Sequence, residues 1–281
     1  MSVRIITDSA SDITPEECPA NLTVVPLSIT FGSKVYLDGV DLDHDRFYEM
    51  LIESDGLPTT GQATPYEFSQ AIEEAQGAGD EVVVITISSK LSGTYQSACM
   101  AADAARGNVH VVDSLNATVG ERCLVELALR LVDEGKSAAQ IAEELDRRKG
   151  DICLVALLDT LEYLRKGGRI SSAAGAVGAM LSIKPVITID DGAVAILGKA
   201  RGSKNGKNLL NQAVEKSGGI DFDMPLSLGY TGLSTKLLDK YVEDSRYLWE
   251  DYTDALLCVS VGAAIGTHVG PGAIALAYFH K

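Results

Sequence analysis

The apolar run Val82 to Ile87 is unbroken and β-branched, and it stops at a hydroxyl-rich turn holding Ser88, Ser89, Ser92 and Thr94. Alanines at helical spacing follow, so the pattern predicts a buried strand, a polar turn, and a helix over Thr94 to Ala105. The same motif recurs in the first half of the chain. Val3 to Thr7 is a strand that ends in Asp8 and Ser9, and Val109 to Val112 is a strand that ends in Asp113 and Ser114. Leu22 to Phe31 alternates as one strand, and Thr14-Pro15-Glu16-Glu17 has the form of a helix start. Helices are predicted at Phe47 to Ile52, Tyr66 to Ala75, Gly120 to Glu134 and Ala138 to Arg148, giving a βαβα order and a mostly parallel sheet. Ligands of open parallel sheets bind at the carboxyl ends of the strands, where Asp8, Ser9 and the Ser88–Thr94 turn lie.

The pattern changes near Gly150. Ile152 to Leu157 is a strand, Ser172 to Leu181 a helix of small apolar residues, and Ile183 to Ile189 with Ala193 to Leu197 a hairpin about Asp190-Asp191-Gly192. Strands at Leu226 to Tyr230 and Leu256 to Val261, with helices at Leu209 to Lys216 and Lys236 to Glu243, complete an α+β half with a mainly antiparallel sheet. The fold class expected is α/β in two domains, 1–150 and 151–281, with a ligand between them. From Ala255 to Phe279 the only ionisable side chain other than the Cys258 thiol is His268, but Gly262, Gly266, Gly270, Pro271 and Gly272 interrupt the stretch. Two buried strands joined by a glycine-rich loop fit it better than a membrane span.

Charge narrows the partners. A net charge of −15 argues against nucleic acid, and leaves at most transient membrane contact at the basic cluster Arg165, Lys166 and Arg169. Five scattered cysteines without a Cys-x-x-Cys pair fit reduced, buried thiols in a cytoplasmic protein. The acidic loop Asp38 to Asp45 lacks the glycine and the glutamate of a calcium loop, with Arg46 and Ile52 in those places, and is expected to be solvated.

Catalytic signatures are absent. There is no G-x-S-x-G elbow, no H-x-x-x-H pair and no G-x-G-x-x-G after the first strand. Gly202 to Asn208 is one residue short of a phosphate loop, so no cofactor and no metal are expected. What remains is hydroxyl clusters, His268 and much small apolar surface, the inventory of a binding site.

Five stretches taken together resemble the DegV family of bacterial fatty-acid-binding proteins: I-T-D-S-A-S-D (6–12), P-T-T-G-Q-A-T-P (58–65), I-S-S-K-L-S-G-T-Y-Q-S-A (87–98), L-E-Y-L-R-K-G-G-R-I (161–170) with L-S-I-K-P (181–185), and H-V-G-P-G-A (268–273). They span nearly the whole chain. The resemblance implies two α/β domains with a long-chain fatty acid between them, its carboxylate at the hydroxyl-rich loops and its tail in the C-terminal domain. It implies a protein that does no chemistry alone. Such a protein presents the fatty acid to a separate ATP-dependent fatty acid kinase and carries the acyl phosphate toward phospholipid synthesis. Carried over by position, Thr60 and Ser92 would bond the carboxylate with Gly93 and Thr94 beside them, His268 would complete the head-group site, and Arg169 would contact the kinase or the phosphate. Gly61 and Ala63 stand where Ser and Pro are usual, and Val269 where Thr is usual. Two other readings stay open: a stand-alone acyl or phosphoryl transferase using Ser92 or Thr94 with His268 as base, and a sensor of small anions.

Overall fold

The computed structural model describes residues 2–54, 56–170, 183–253 and 255–281. The chain runs through β1 (Val3–Asp8), β2 (Leu22–Val25), β3 (Ser28–Phe31), β4 (Lys34–Leu37), α1 (His44–Glu53), β5 (Thr59–Gly61), α2 (Pro65–Gly77), β6 (Glu81–Thr86), α3 (Thr94–Ala104), β7 (Val109–Asp113), α4 (Val119–Asp133) and α5 (Ala138–Arg148). It continues through β8 (Ile152–Leu157), α6 (Glu162–Lys166), β9 (Ile183–Asp190), β10 (Ala193–Arg201), α7 (Gly202–Lys216), β11 (Leu226–Tyr230), α8 (Lys236–Asp244), β12 (Leu257–Ser260), α9 (Ala263–Val269) and β13 (Ile274–Phe279).

Strands before residue 150 form a four-stranded sheet, β2-β1-β6-β7, parallel throughout, and a small antiparallel sheet, β4-β3-β5. Strands after it form one sheet, β10-β9-β8-β13-β11-β12, antiparallel except for the β11–β12 pair. The fold is α/β with a parallel and a mainly antiparallel sheet. Helix α4 packs on β1 and β6 of the first sheet and on β8, β11 and β13 of the second. It is buried almost all round, so one apolar cluster runs from Ile5, Val83 and Ile85 through Leu124 to Leu154 and Ala277.

Several expectations change. Leu22 to Phe31 is two strands in two sheets, broken at Pro26, which has no N–H for a ladder. The Thr14 helix start yields only a single 3-10 turn, Pro15–Glu17, closed by a capping box between Thr14 and Glu17. The loop 58–65 carries the short strand β5, and Gly202–Asn208 is the opening of α7. Asp38 in the presumed solvated loop is 5% exposed. Between Ala255 and Phe279 a helix, α9, stands where a loop was expected, and β12 is an exposed edge strand. Only Cys123 of the five cysteines is buried, and Cys258 is exposed on that edge. The helix expected at Ser172 to Leu181 lies outside the described residues. No helix among the described residues is long and apolar enough to cross a membrane.

Candidate functional site

Period-2 alternation in β8 divides the second sheet into two faces. Val155 and Leu157 face α7 and α8 and belong to a core with Leu210, Leu238 and Leu276. Leu154 and Ala156, followed by Leu158, point the other way and line a cavity of about 400 Å³, together with Ile187 and Ile189 of β9 and Ala275 of β13. The opposite wall comes from loops at the carboxyl ends of the parallel strands: Ala10 after β1, Ile87, Leu91, Ser92 and Gly93 after β6, and Ala117 and Thr118 ahead of α4. An apolar cleft of this size with a few convergent polar groups is the usual form of a small-molecule site.

The polar groups gather at one part of the wall. Thr60 on β5, Ser92 and Gly93 at the start of α3, Arg169 after α6 and His268 on α9 all line the cavity. Thr60 Oγ1 lies 2.9 Å from His268 Nε2. Ser92 Oγ accepts the Thr94 N–H at 3.3 Å and lies 2.8 Å from Thr94 Oγ1, so Thr94 is a fully buried support behind Ser92 and not part of the lining. The Arg169 guanidinium donates to Leu91 O at 3.1 Å and to Gly167 O at 2.7 Å, fastening the end of α6 to the loop before α3. The second, third and fourth sequence motifs therefore meet at one place with His268 of the fifth.

Burial, and then the positive Arg169 beside it, push His268 down from 6.5 to about 4, so its ring is neutral near pH 7. Its Nδ1 is buried without a hydrogen-bond partner among the described residues, against the Cα of Gly167. A proton on Nδ1 would be a buried N–H with no acceptor, the costlier orphan. We assign the proton to Nε2, donated to Thr60, which leaves the Thr60 hydroxyl proton free to be donated into the cavity. His268 is bonded to Thr60 and not to Ser92 or Thr94, so the pairing of either of those hydroxyls with His268 as base is not formed here.

The family model described as "Uncharacterised protein, DegV family" matches residues 2–281. The chain belongs to the DegV family. A DegV domain-containing protein of Caldanaerobacter subterraneus is 35% identical, with 99% of each chain covered. A DegV family protein from Thermus thermophilus, described by its fatty acid binding, superposes with a TM-score of 0.89 at 30% identity over 100% of both chains. Another from Eubacterium eligens, loaded with heptadecanoic acid, superposes at 0.85 with 25% identity, again over both whole chains.

Within this DegV protein, Asp8 and Ser9 stand behind the site and do not line it. Asp8 accepts from the N–H groups of Ala10 and Ile87, and burial pushes it up to about 7. Ser9 bonds Asp38 and Leu27. Three residues escaped the sequence reading. Asp38 bonds the first two residues of α9 and Asp12 the residue before them, Gly262, and Thr118, which lines the cavity, holds a φ of 51° that is rare for a β-branched residue. Thr118 stays there because its N–H donates to Ala10 O at 2.8 Å and its hydroxyl to Asp12. A threonine before a helix gives no sequence sign of such strain.

Proposed function

We propose that this DegV protein binds a long-chain fatty acid and presents its carboxylate to a separate ATP-dependent fatty acid kinase, then carries the acyl phosphate toward phospholipid synthesis. The observation that carries the reading is an apolar cavity whose wall holds the Thr60–His268 pair and Ser92 together. A carboxylate has about four acceptor sites. In this reading Thr60, Ser92 and the backbone of Gly93 donate to it, Thr94 supports Ser92, and His268 orients the Thr60 hydroxyl. Arg169 stands beside them as the contact for the kinase or the transferred phosphate. The tail lies along Leu154, Ala156 and Ile187, where each buried CH₂ contributes about 0.8 kcal/mol. The chain therefore supplies most of the affinity and the neutral donors set orientation, which suits a carrier that must release its cargo. The fatty acid bound by the Eubacterium eligens protein and the fatty acid binding described for the Thermus protein support the ligand class. We place the activity in the cytoplasm, with no cofactor.

The first test is to denature the purified protein, extract it with organic solvent and identify small molecules by mass spectrometry. A stoichiometric long-chain fatty acid is expected, and its loss in a Thr60→Val, Ser92→Ala double variant. An empty extract from protein that also takes up no added fatty acid would sink the reading. The kinase step is tested separately: acyl phosphate should form from ATP and fatty acid only when kinase and this protein are both present.

A further inference from the structure

The helix that carries His268 belongs by sequence to the second half of the chain, yet the first half holds it. At its entry, Val261 O has His44 Nδ1 at 3.0 Å and accepts the Tyr48 hydroxyl at 3.2 Å. The next N–H, of Gly262, donates to Asp12 Oδ1 at 2.8 Å. The first two N–H groups of α9, Ala263 and Ala264, donate to Asp38 Oδ1 and Oδ2 at 2.9 and 3.1 Å. A helix start leaves such N–H groups without intrahelical partners, and capping normally comes from the residue just before. Here the residue before α9 is Gly262, which has no side chain to offer, and the caps come from more than 200 residues away. Asp38 itself is fixed by the Ser9 hydroxyl at 3.0 Å. Along its length α9 lies so close on α1 that a Cβ at Gly266 would strike Phe47 and Tyr48. His268 stands at the other end of this helix, only about one turn beyond, so the register of its ring against Thr60 follows from where the helix starts.

We propose that Asp38 is a positioning residue for the head-group site: by capping α9 across the two halves of the chain it sets His268 against Thr60, and Asp12 reinforces it at Gly262. Asp38 neither lines the cavity nor touches His268, so its carboxylate acts on the head group through α9, while its N–H donates to O of the lining residue Leu27 at 2.9 Å. This rests on the carboxylate site proposed above.

The variant is Asp38→Asn, which keeps the shape but turns one of the two acceptor oxygens into a donor facing an N–H. Two readouts separate a positioning role from a general loss of fold. In delipidated, ¹⁵N-labelled protein, the His268 Nε2 resonance reports the Thr60 hydrogen bond without any ligand, and Asp38→Asn should move it to the position of an unbonded imidazole. In titrations with a fatty acid and the alcohol of equal chain length, the wild type should prefer the acid. Asp38→Asn should lose about tenfold of that preference, the scale of one hydrogen bond to a charged group, while alcohol binding stays the same. Ser9→Ala, which removes one bond to Asp38 and the acceptor of Leu27 N–H but leaves both Asp38 caps on α9, should shift both readouts in the same direction by less, and serves if Asp38→Asn does not fold. An unchanged Nε2 resonance overturns the proposal, as does equal loss of acid and alcohol binding. A wild type that prefers neither ligand overturns the head-group reading instead, and the resonance then still decides the role of Asp38.

Discussion

Replacing His268 by glutamine should change how stability depends on pH in a way that can be worked from the structure. The folded ring is held at about 4 by burial and by Arg169, against 6.5 for an ordinary histidine. Between those values the unfolded chain takes up a proton that the folded chain refuses, so stability falls as pH drops through the window. The contribution is complete above 6.5 and gone by about 4. At about 1.4 kcal/mol per pH unit, the total is about 3 kcal/mol. The wild-type curve alone will not display it. Asp8 and Asp12 are pushed by burial from 3.8 to about 7, and their contributions run the other way, present at low pH and lost as pH rises to 7. The measurement is therefore a difference: urea denaturation of wild type and His268→Gln at steps from pH 7.5 to 4, extrapolated to water. The difference between the two proteins should shrink by about 3 kcal/mol from pH 7 down to 4. A difference that stays flat would refute the claim that His268 is held neutral, and with it the proton assignment to the Thr60 bond.

Other outcomes follow from packing and exposure. Gly167→Ala would place a methyl group on the buried His268 ring, so it should weaken fatty acid binding by titration and also cost about 1–3 kcal/mol in urea denaturation. Leu276→Ala, at a fully buried site on the face of the second sheet that packs on α7 and α8, should cost about 2–5 kcal/mol in urea denaturation. Gly266→Ala overpacks α9 on Phe47 and Tyr48 and should cost about 1–3 kcal/mol by the same assay. A thiol reagent on native protein should label Cys258 first, while Cys123, buried with its thiol pushed well up, should react only on unfolding.

Much of the architecture was legible because local physics decides it. An unbroken β-branched run such as Val82 to Ile87 has no polar face, so it must be buried on both sides, as the strands of a parallel sheet covered by helices on both faces are. The hydroxyl turn after β6 and the hairpin about Asp191-Gly192 were legible for the same reason: turn and cap chemistry lies within a few residues. The five motifs that resemble the family named the cavity residues Thr60, Ser92, Gly93, Arg169 and His268, but spacing along the chain contains nothing about which of them touch.

What failed were statements about burial and partners set by distant chain. The glycines between Ala255 and Phe279 signalled a loop, yet Gly266 sits inside a helix because α1 leaves no room for a side chain there. Asp38 stands in an acidic run that any local reading places in water, and it is buried because its donors come from Ala263 and Ala264. Thr118 has a strained backbone only because Asp12 and Ala10 hold it. The sequence by itself determined most of the strands and helices, since those follow from periodicity and residue type, and its resemblance to the family pointed to the residues expected at the site. Only the tertiary structure decided that a helix from the last fifth of the chain is capped by its first forty residues, because a buried carboxylate is settled by where its hydrogen-bond donors arrive in space.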